Sequence, residues 1–500
     1  MNVTAPRAVD QVLMDETPPA AARGPLIPMI IGCALFMQTL DATVISNALP
    51  TMARSLHESP LTLNLAITSY LLASAVFLPI SGWAADRFGA KHVFRVAIVL
   101  FALSSLGCGV SQNLGQLVAA RLVQGLAGAM MAPVGRLVLL RSVPKSELVQ
   151  AMSWLTMPAM LGPVLGPPIG GFIVTFASWR WIFFINVPMG VLGVVLVSIF
   201  IANIREENPP PLDWRGFLLT GFGLAGMVYG FENLGRGMLP FSVVAAMLVG
   251  GAVSLALYAR HARRTPHAIL DLGLLRLSTF NASTVGGAFL RMGMGATPFL
   301  LALLLQMGFG MSAFAAGMIT FAGGAGALVM KTTARPIISR FGFKRVLVVN
   351  TLIVALTFMA YSLFTPTTWP GLMVGAILIG GFFRSLQFTA LNALAYADVD
   401  ASQMSRASSL SAMGQQLAQS IGIGLAAILI GVLQRMHGST RLAAGDISPA
   451  FFIVGVLSLA GLFFFLPLAK DAGAEVSGKA GPGAGAAPAP VLAHAAAAED

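Results

Sequence analysis

Apolar runs of about 20 residues recur along nearly the whole chain, and no other feature limits the fold so severely. A run of that length is what a helix needs to cross the hydrocarbon of a bilayer. Inside hydrocarbon every backbone N–H and C=O must find an internal partner, so only helices or a closed barrel can span it. Barrel strands alternate apolar and polar residues over about ten positions, and these runs do not alternate. Composition agrees with helices in lipid. Of 500 residues, 56% are hydrophobic and 10% charged, with mean hydropathy +0.82; a soluble domain is about a quarter charged.

Fourteen spans are predicted, over 26–48, 64–84, 93–111, 114–140, 148–176, 181–203, 214–234, 240–260, 278–306, 312–333, 343–364, 369–393, 407–432 and 449–468. The run 148–176 is long and rich in Gly and Pro, so it is expected to tilt or bend. Residues 1–25 read as a cytoplasmic segment without the basic start, apolar core and cleavage site of a signal peptide. Residues from Asp471 are rich in Ala, Gly and Pro and read as a disordered tail, taken as 469–500.

The net charge of +11 does not point to nucleic acid, because the basic residues sit in short loops between apolar runs. With the N-terminus inside, inner loops hold Arg87, Lys91, Arg95, Arg141, Lys145, Arg260, Arg263, Arg264, Arg276, Arg340, Lys344 and more. Outer loops hold only Arg54, Arg180, Arg236, Arg435 and Arg441. Retention of Lys and Arg on the cytoplasmic side then places both termini in the cytoplasm. Cys33 and Cys108 both fall in apolar runs, which argues against a disulfide framework or a metal site.

The chain echoes itself. Arg87-Phe88-Gly89-Ala90-Lys91 follows the second span, and Arg340-Phe341-Gly342-Phe343-Lys344 follows the tenth. A parallel repeat of two six-helix bundles, 26–203 and 261–468, accounts for this. A linker and inserted two-helix hairpin would then occupy 204–260.

Four stretches carry polar chemistry. In Gly82-Trp83-Ala84-Ala85-Asp86-Arg87-Phe88-Gly89-Ala90-Lys91, Gly82 allows close helix approach and Gly89 a tight turn, while Asp86, Arg87 and Lys91 can lock neighbouring helix ends. Ser339 replaces the acid in the second copy, so a symmetric lock is not expected. Asp41, in Leu40–Pro50, is the one carboxylate placed well inside a span. An acid at that depth faces a cavity or a partner and is a natural proton carrier; a permanent salt bridge is the structural alternative. Arg121 lies at a matching distance from the outer surface and is the expected partner, with protonation of Asp41 releasing it. In the fifth span Gly162, Gly166 and Gly170 recur every four residues as one smooth face, and Pro163 and Pro167 remove backbone donors.

These motifs resemble the major facilitator superfamily. The Gly82–Lys91 loop is similar to its cytoplasmic signature, which implies a gate on one side of an alternating-access cycle. The Gly162–Gly170 stretch resembles a signature of its proton-coupled antiporters. Trp179–Gly190, with Leu40–Pro50 and the hairpin, resembles the fourteen-helix drug:proton antiporters of the EmrB/QacA type, most closely the MdtD-like members. The resemblance covers nearly all of 26–468 and implies efflux of small molecules driven by protons, with no cofactor.

One departure bears on substrate. No second-half acid is found inside a span, whereas Arg291 lies near mid-span, Arg384 about a third of the way from the inner end, and Lys331 near an inner end. Lys331 and Arg136 are expected to snorkel to the surface. Arg291 and Arg384, with Gln38, Gln306 and Gln387, are candidates to line a substrate cavity that favours anionic or metal-chelating organic acids; contacts to helix-end carbonyls or lipid are the alternative for the arginines. Asn47, Asn392 and Gln415 are further polar candidates. An importer or facilitator on the same fold is the rival function, and a membrane sensor or enzyme the remote one, since no P-loop and no catalytic cluster is present. Protons, a small-molecule substrate and the lipid bilayer are the expected partners, and the sequence leaves a periplasmic adaptor or outer-membrane channel open.

Overall fold

A computed structural model describes residues 25–58, 63, 65–202, 209–234, 239–437 and 443–477. The predicted segment 1–25, save Pro25, most of the linker start and the tail beyond 477 lie outside the described residues. Fourteen long helices are present among those described: α1 (Leu26–Ser55), α2 (Leu65–Phe88), α3 (Ala90–Val110), α4 (Leu114–Ser142), α5 (Leu148–Phe176), α6 (Trp181–Phe200), α7 (Trp214–Asn233), α8 (Phe241–Ala262), α9 (Ser278–Gly308), α10 (Ala313–Phe341), α11 (Phe343–Tyr361), α12 (Pro370–Leu394), α13 (Met404–His437) and α14 (Ala444–Phe465). Eleven of them are long and apolar enough to cross a membrane by length and composition; α5, α7 and α10 are the others.

Local chemistry sets the helix ends. Asn113, Asp213 and Ser312 cap α4, α7 and α10 through their side-chain oxygens. Gly89 (φ 89°) and Gly342 (φ 76°) make the sharp breaks α2/α3 and α10/α11 in a backbone region that disfavours a Cβ. Several helices outrun their predicted spans: α1 continues to Ser55, α10 to Phe341 and α13 to His437. Hydropathy registers only the part in hydrocarbon, whereas backbone hydrogen bonding continues into water. α5 is a single helix despite Pro158, Pro163, Pro167 and Pro168, so no break marks the expected bend.

The packing repeats in the two halves. In the first, α1 packs on α5, α3 on α4, α2 on α4, α3 on α6, and α1 on α6 and α4. In the second, α9 packs on α13, α11 on α12, α10 on α12, α11 on α14, and α9 on α14 and α12. Each pairing maps onto its counterpart when eight is added to the helix number, so two six-helix bundles share one topology. The hairpin α7–α8 pairs with itself and lays α7 against α2 and α13, along one seam between the halves. Across the other seam α5 meets α10 and α12.

Both glycine breaks lie at one end of the bundle, here termed the basic end because Arg87, Lys91, Arg141, Lys145, Arg340 and Lys344 gather there. The halves are tied together at that end. Ser81 Oγ and Ser409 Oγ are 2.9 Å apart, Ser408 Oγ donates to Pro133 O (2.9 Å), and Lys145 Nζ donates to Ala397 O (3.0 Å). Arg136 donates to the Tyr396 hydroxyl at 3.3 Å. Among the described residues no hydrogen bond between the halves lies beyond mid-depth, where Ser385 Oγ meets Met160 Sδ at 4.0 Å.

The tail expectation needs correction. Residues 471–477 are ordered and include a short helix, Ala474–Ser477, packed against the start of α5. Val476 is fully buried and Glu475 lies 3.8 Å from Lys145. A buried valine and a few backbone turns outweigh the low-complexity composition over these residues.

Candidate functional site

The polar centre of the first half is built on Asp41. Its side chain is fully removed from solvent, and Arg121 is 1% exposed. Arg121 Nη1 donates to Asp41 Oδ2 at 2.6 Å. Asp41 Oδ1 accepts from Gln124 Nε2 (3.1 Å) and Asn186 Nδ2 (2.9 Å). The carboxylate on α1 is therefore held by α4 and α6 together. Arg121 is itself braced: Nε donates to Ala66 O (3.0 Å), Nη1 to Gln124 Oε1 (2.6 Å), and the guanidinium lies 4.6 Å from the Tyr70 ring centroid. Asn186 also donates to Ser105 Oγ at 2.9 Å. A buried ion pair needs such extra hydrogen bonds, because desolvation of two charges otherwise exceeds their attraction. Gln38 sits one turn before Asp41 and donates to Tyr70 Oη (3.2 Å) and Gly128 O (3.1 Å), closing the lower side of the cluster.

The glycine face of α5 meets α1 directly beside this carboxylate. A Cβ on Gly162 would stand 2.1 Å from Thr39 Oγ1, and one on Gly166 2.2 Å from Thr43 Oγ1. At Gly170 it would meet Val44. Thr39 donates to Ala159 O (2.9 Å) and Thr43 to Gly162 O (3.2 Å), so the two helices are also hydrogen-bonded. Pro163 is exposed on the opposite side, and the side chain of Pro167 lies outside the described residues.

At the basic end Asp86 is 7% exposed and accepts from Arg141 Nη2 at 2.9 Å and from Ser405 Oγ. Gly82 N donates to Ser409 Oγ (2.9 Å), and a Cβ on Gly82 would reach Ser405 O at 2.7 Å. Lys91 Nζ donates to Ser198 O at 2.9 Å, tying α3 to the end of α6. Arg87 is exposed. In the second copy Ser339 is half-buried and bonds its own helix, at Pro336 O.

The second half presents cations inside its helices, and its buried acid, Asp446, stands in the first turn of α14 beside His437, before the predicted span begins. Arg291 is 1% exposed; its Nη1 donates to Ser283 O at 2.7 Å and Nη2 reaches Asn392 Oδ1 at 3.5 Å. Ser283 lies in a π-helical turn, Ala282–Gly286, where the widened backbone frees carbonyls. Arg291 Nε is buried without a hydrogen-bond partner. Gln415 shares the Asn392 oxygen at 3.1 Å. Lys331 is 2% exposed and donates to Thr389 Oγ1 at 2.7 Å, so it does not snorkel. Arg136 does not snorkel either: it reaches across the seam to Tyr396. Arg384 is half-buried beside Phe358 and Tyr361, and donates to Tyr361 Oη at 3.3 Å. None of the described ion pairs involves Arg291, Lys331 or Arg384.

Two cavity candidates stand elsewhere. Gln387 is buried between α11 and α12, where it accepts from Asn350 and donates to Leu347 O and Thr351 Oγ1. Its polar atoms are satisfied inside the bundle. Gln306 is exposed in a second π-helical turn, Leu304–Gly308, at the far end of α9. The Asn47 side chain lies outside the described residues. Gln124, Asn186 and Ser405 were not singled out from the sequence. Gln124 stands three residues after Arg121, one helical turn away, and that spacing was the available signal.

The Major Facilitator Superfamily family model matches residues 31–280 and 283–497. The chain is 39% identical over 418 residues to a putative multidrug resistance protein MdtD of Pectobacterium carotovorum, covering 83% of this chain and 88% of that one. It is 39% identical over 409 residues to a protein of the same description from Salmonella heidelberg, covering 82% and 87%. Two solved structures share the fold: the human organic anion transporter MFSD10 (TM-score 0.65, 14% identity, 90% of this chain and 100% of that one) and the proton:xylose symporter XylE (TM-score 0.62, 15% identity, 89% and 96%). The doubled six-helix topology, the hairpin and these matches converge: the chain is a multi-pass membrane transporter of small molecules, not an enzyme, and belongs to the major facilitator superfamily among its MdtD-like multidrug resistance proteins.

Proposed function

We propose that the protein is a proton-coupled antiporter that exports small molecules from the cytoplasm across a bacterial inner membrane. The basic end is the cytoplasmic end, by the retention of Lys and Arg in inner loops. The observation that carries the reading is the Asp41–Arg121 pair at 2.6 Å, out of water and shared by α1, α4 and α6. A proton entering from the far side converts the carboxylate to a neutral acid and removes its attraction for the guanidinium. Arg121 keeps its bonds to Ala66 O and Gln124, while the tie between α1 and α4 weakens. α1 also carries the face on which α5 rides, so a change there reaches the seam where α5 meets α10 and α12. Substrate leaves as the halves part on the outer side, and return of the proton to the cytoplasm restores the pair.

The substrate reading favours anionic or metal-chelating organic acids. Arg291 and Lys331 are buried charges without carboxylate partners in the described structure, and such charges are expensive unless something anionic compensates them. Purified protein in liposomes, loaded with a lumenal pH dye and offered matched panels of organic anions and lipophilic cations, tests both parts. Anion-dependent proton movement is expected, reduced about tenfold or more by Arg291→Ala through loss of one charge-assisted bond. Cation-driven proton movement that is indifferent to Arg291→Ala and Lys331→Ala would overturn the substrate reading. Solute movement without any proton movement would overturn the antiport.

A further inference from the structure

We propose that the junction between the inserted hairpin and the second half is a binding site for a phosphate-type anion, set beside the basic-end gate. A cavity of 690 Å³ opens there, lined by Arg263, Arg276 and Arg406 together with Thr265, Asp271 and an apolar wall that includes Leu275. Pockets of a few hundred cubic ångströms suit small ligands. Three guanidinium groups face one carboxylate, so the lining is net cationic.

The loop that forms the cavity is held in shape. Tyr258 Oη donates to Leu270 O (2.7 Å) and accepts from Leu270 N (2.8 Å). Asp213 accepts from Gly216 N (2.8 Å) and Ile269 N (3.4 Å) and lies 2.8 Å from His261. Ala268, Ile269 and Leu270 are buried. Ordering of the loop thus precedes any ligand, which lowers the cost of binding. Arg263 and Arg276 are exposed and enter none of the described ion pairs, and Arg406 lies 3.8 Å from Asp271. Planar guanidinium forks recognise phosphate oxygens two at a time. The site lies where α8 ends and α9 begins, at the basic end read above as cytoplasmic, so the anion is carried either by a lipid headgroup or by a free phosphate.

The walls of the cavity are the exit from α8, the connecting loop and the first turn of α13. Arg406 directly follows Ser405, which holds Asp86, and precedes Ser409, which holds Gly82. Anion binding draws Arg406 away from Asp271 and fixes the start of α13, the helix that closes the basic end.

The test uses the full-length protein in detergent micelles and native mass spectrometry, titrated with phosphatidylglycerol, phosphatidylcholine or inorganic phosphate. Retention of phosphatidylglycerol over phosphatidylcholine is expected, weakened about thirtyfold by Arg263→Ala/Arg276→Ala at about a kcal/mol for each charge. Asp271→Asn, which removes the competing carboxylate, is expected to tighten it severalfold. Binding of inorganic phosphate with the same two responses, and without lipid preference, supports the site and assigns it to a soluble anion. Equal binding of every probe by the wild type and both variants overturns it. Elution of the variants at the wild-type volume on size exclusion separates loss of the site from loss of the fold.

Discussion

Asp41 and Arg121 show how a single buried pair is made tolerable. Each charge has a partner of opposite sign, and the remaining lone pairs and protons are met by Gln124, Asn186 and Ala66 O. Removing one member strands the other. Arg121→Ala is expected to lower stability by about 3–5 kcal/mol, seen as a drop in melting temperature of the purified protein. Asp41→Asn keeps an acceptor for Arg121 and is expected to insert normally while abolishing proton-driven transport in liposomes. Asp41→Asn/Arg121→Gln is expected to recover most of the stability and to stay uncoupled. A double variant that regains coupling would show that the pair holds the helices together and nothing more. Asp41 stood out in the sequence because a carboxylate in a long apolar run is rare. Asn186 did not, because amides occur in spans as ordinary interhelical bonds and only the meeting of α6 with α1 gives this one its role. Lys331 was misread for a related reason: distance to a span end was visible, but the direction in which the side chain points was not.

At the scale of elements, the contact of α5 on α1 is the one most sensitive to a single methyl group. The Gly166 Cα leaves no room for a Cβ beside Thr43 Oγ1, at 2.2 Å, and the obstructing atom belongs to a stiff β-branched side chain. Gly166→Ala is expected to separate the helices and cost about 1–3 kcal/mol, with transport falling in parallel. Adding Thr43→Ala is expected to return part of both, measured by melting and by uptake into liposomes. If Gly166→Ala melts and transports like wild type, the close seating of α5 on α1 is not needed. The four-residue glycine spacing was plain in the sequence. Its partner was not, since α1 and α5 are more than a hundred residues apart and nothing local pairs them.

For the whole molecule, the described cross-half bonds gather at the basic end, so the structure is closed there. Ser81→Cys/Ser409→Cys, in a background lacking Cys33 and Cys108, is expected to form a disulfide readily because the two Oγ atoms are 2.9 Å apart. Oxidation is expected to arrest transport and reduction to restore it; turnover that continues with the bond formed would rule out parting of the halves at this point. Residues 471–477 add a strap from the second half to the start of α5. Truncation after Lys470 is expected to raise thiol labelling of a Lys145→Cys variant severalfold, and unchanged labelling would show that the strap bears no part of the closure.

Membrane residence, the number of long helices and the doubling of the chain were all determined by the sequence alone. Each follows from local physics: the apolar length needed to satisfy a backbone in hydrocarbon, and the glycine turns that repeat between two helix pairs. Only the tertiary structure decided which polar groups meet. The carboxylate of Asp41 is held by residues from α4 and α6, the gate by α2, α4 and α13, and the junction cavity by α8, its loop and α13. Those meetings depend on how helices distant in the chain stack and rotate, and a one-dimensional pattern of hydropathy carries no information about rotation between helices that are apolar on every side.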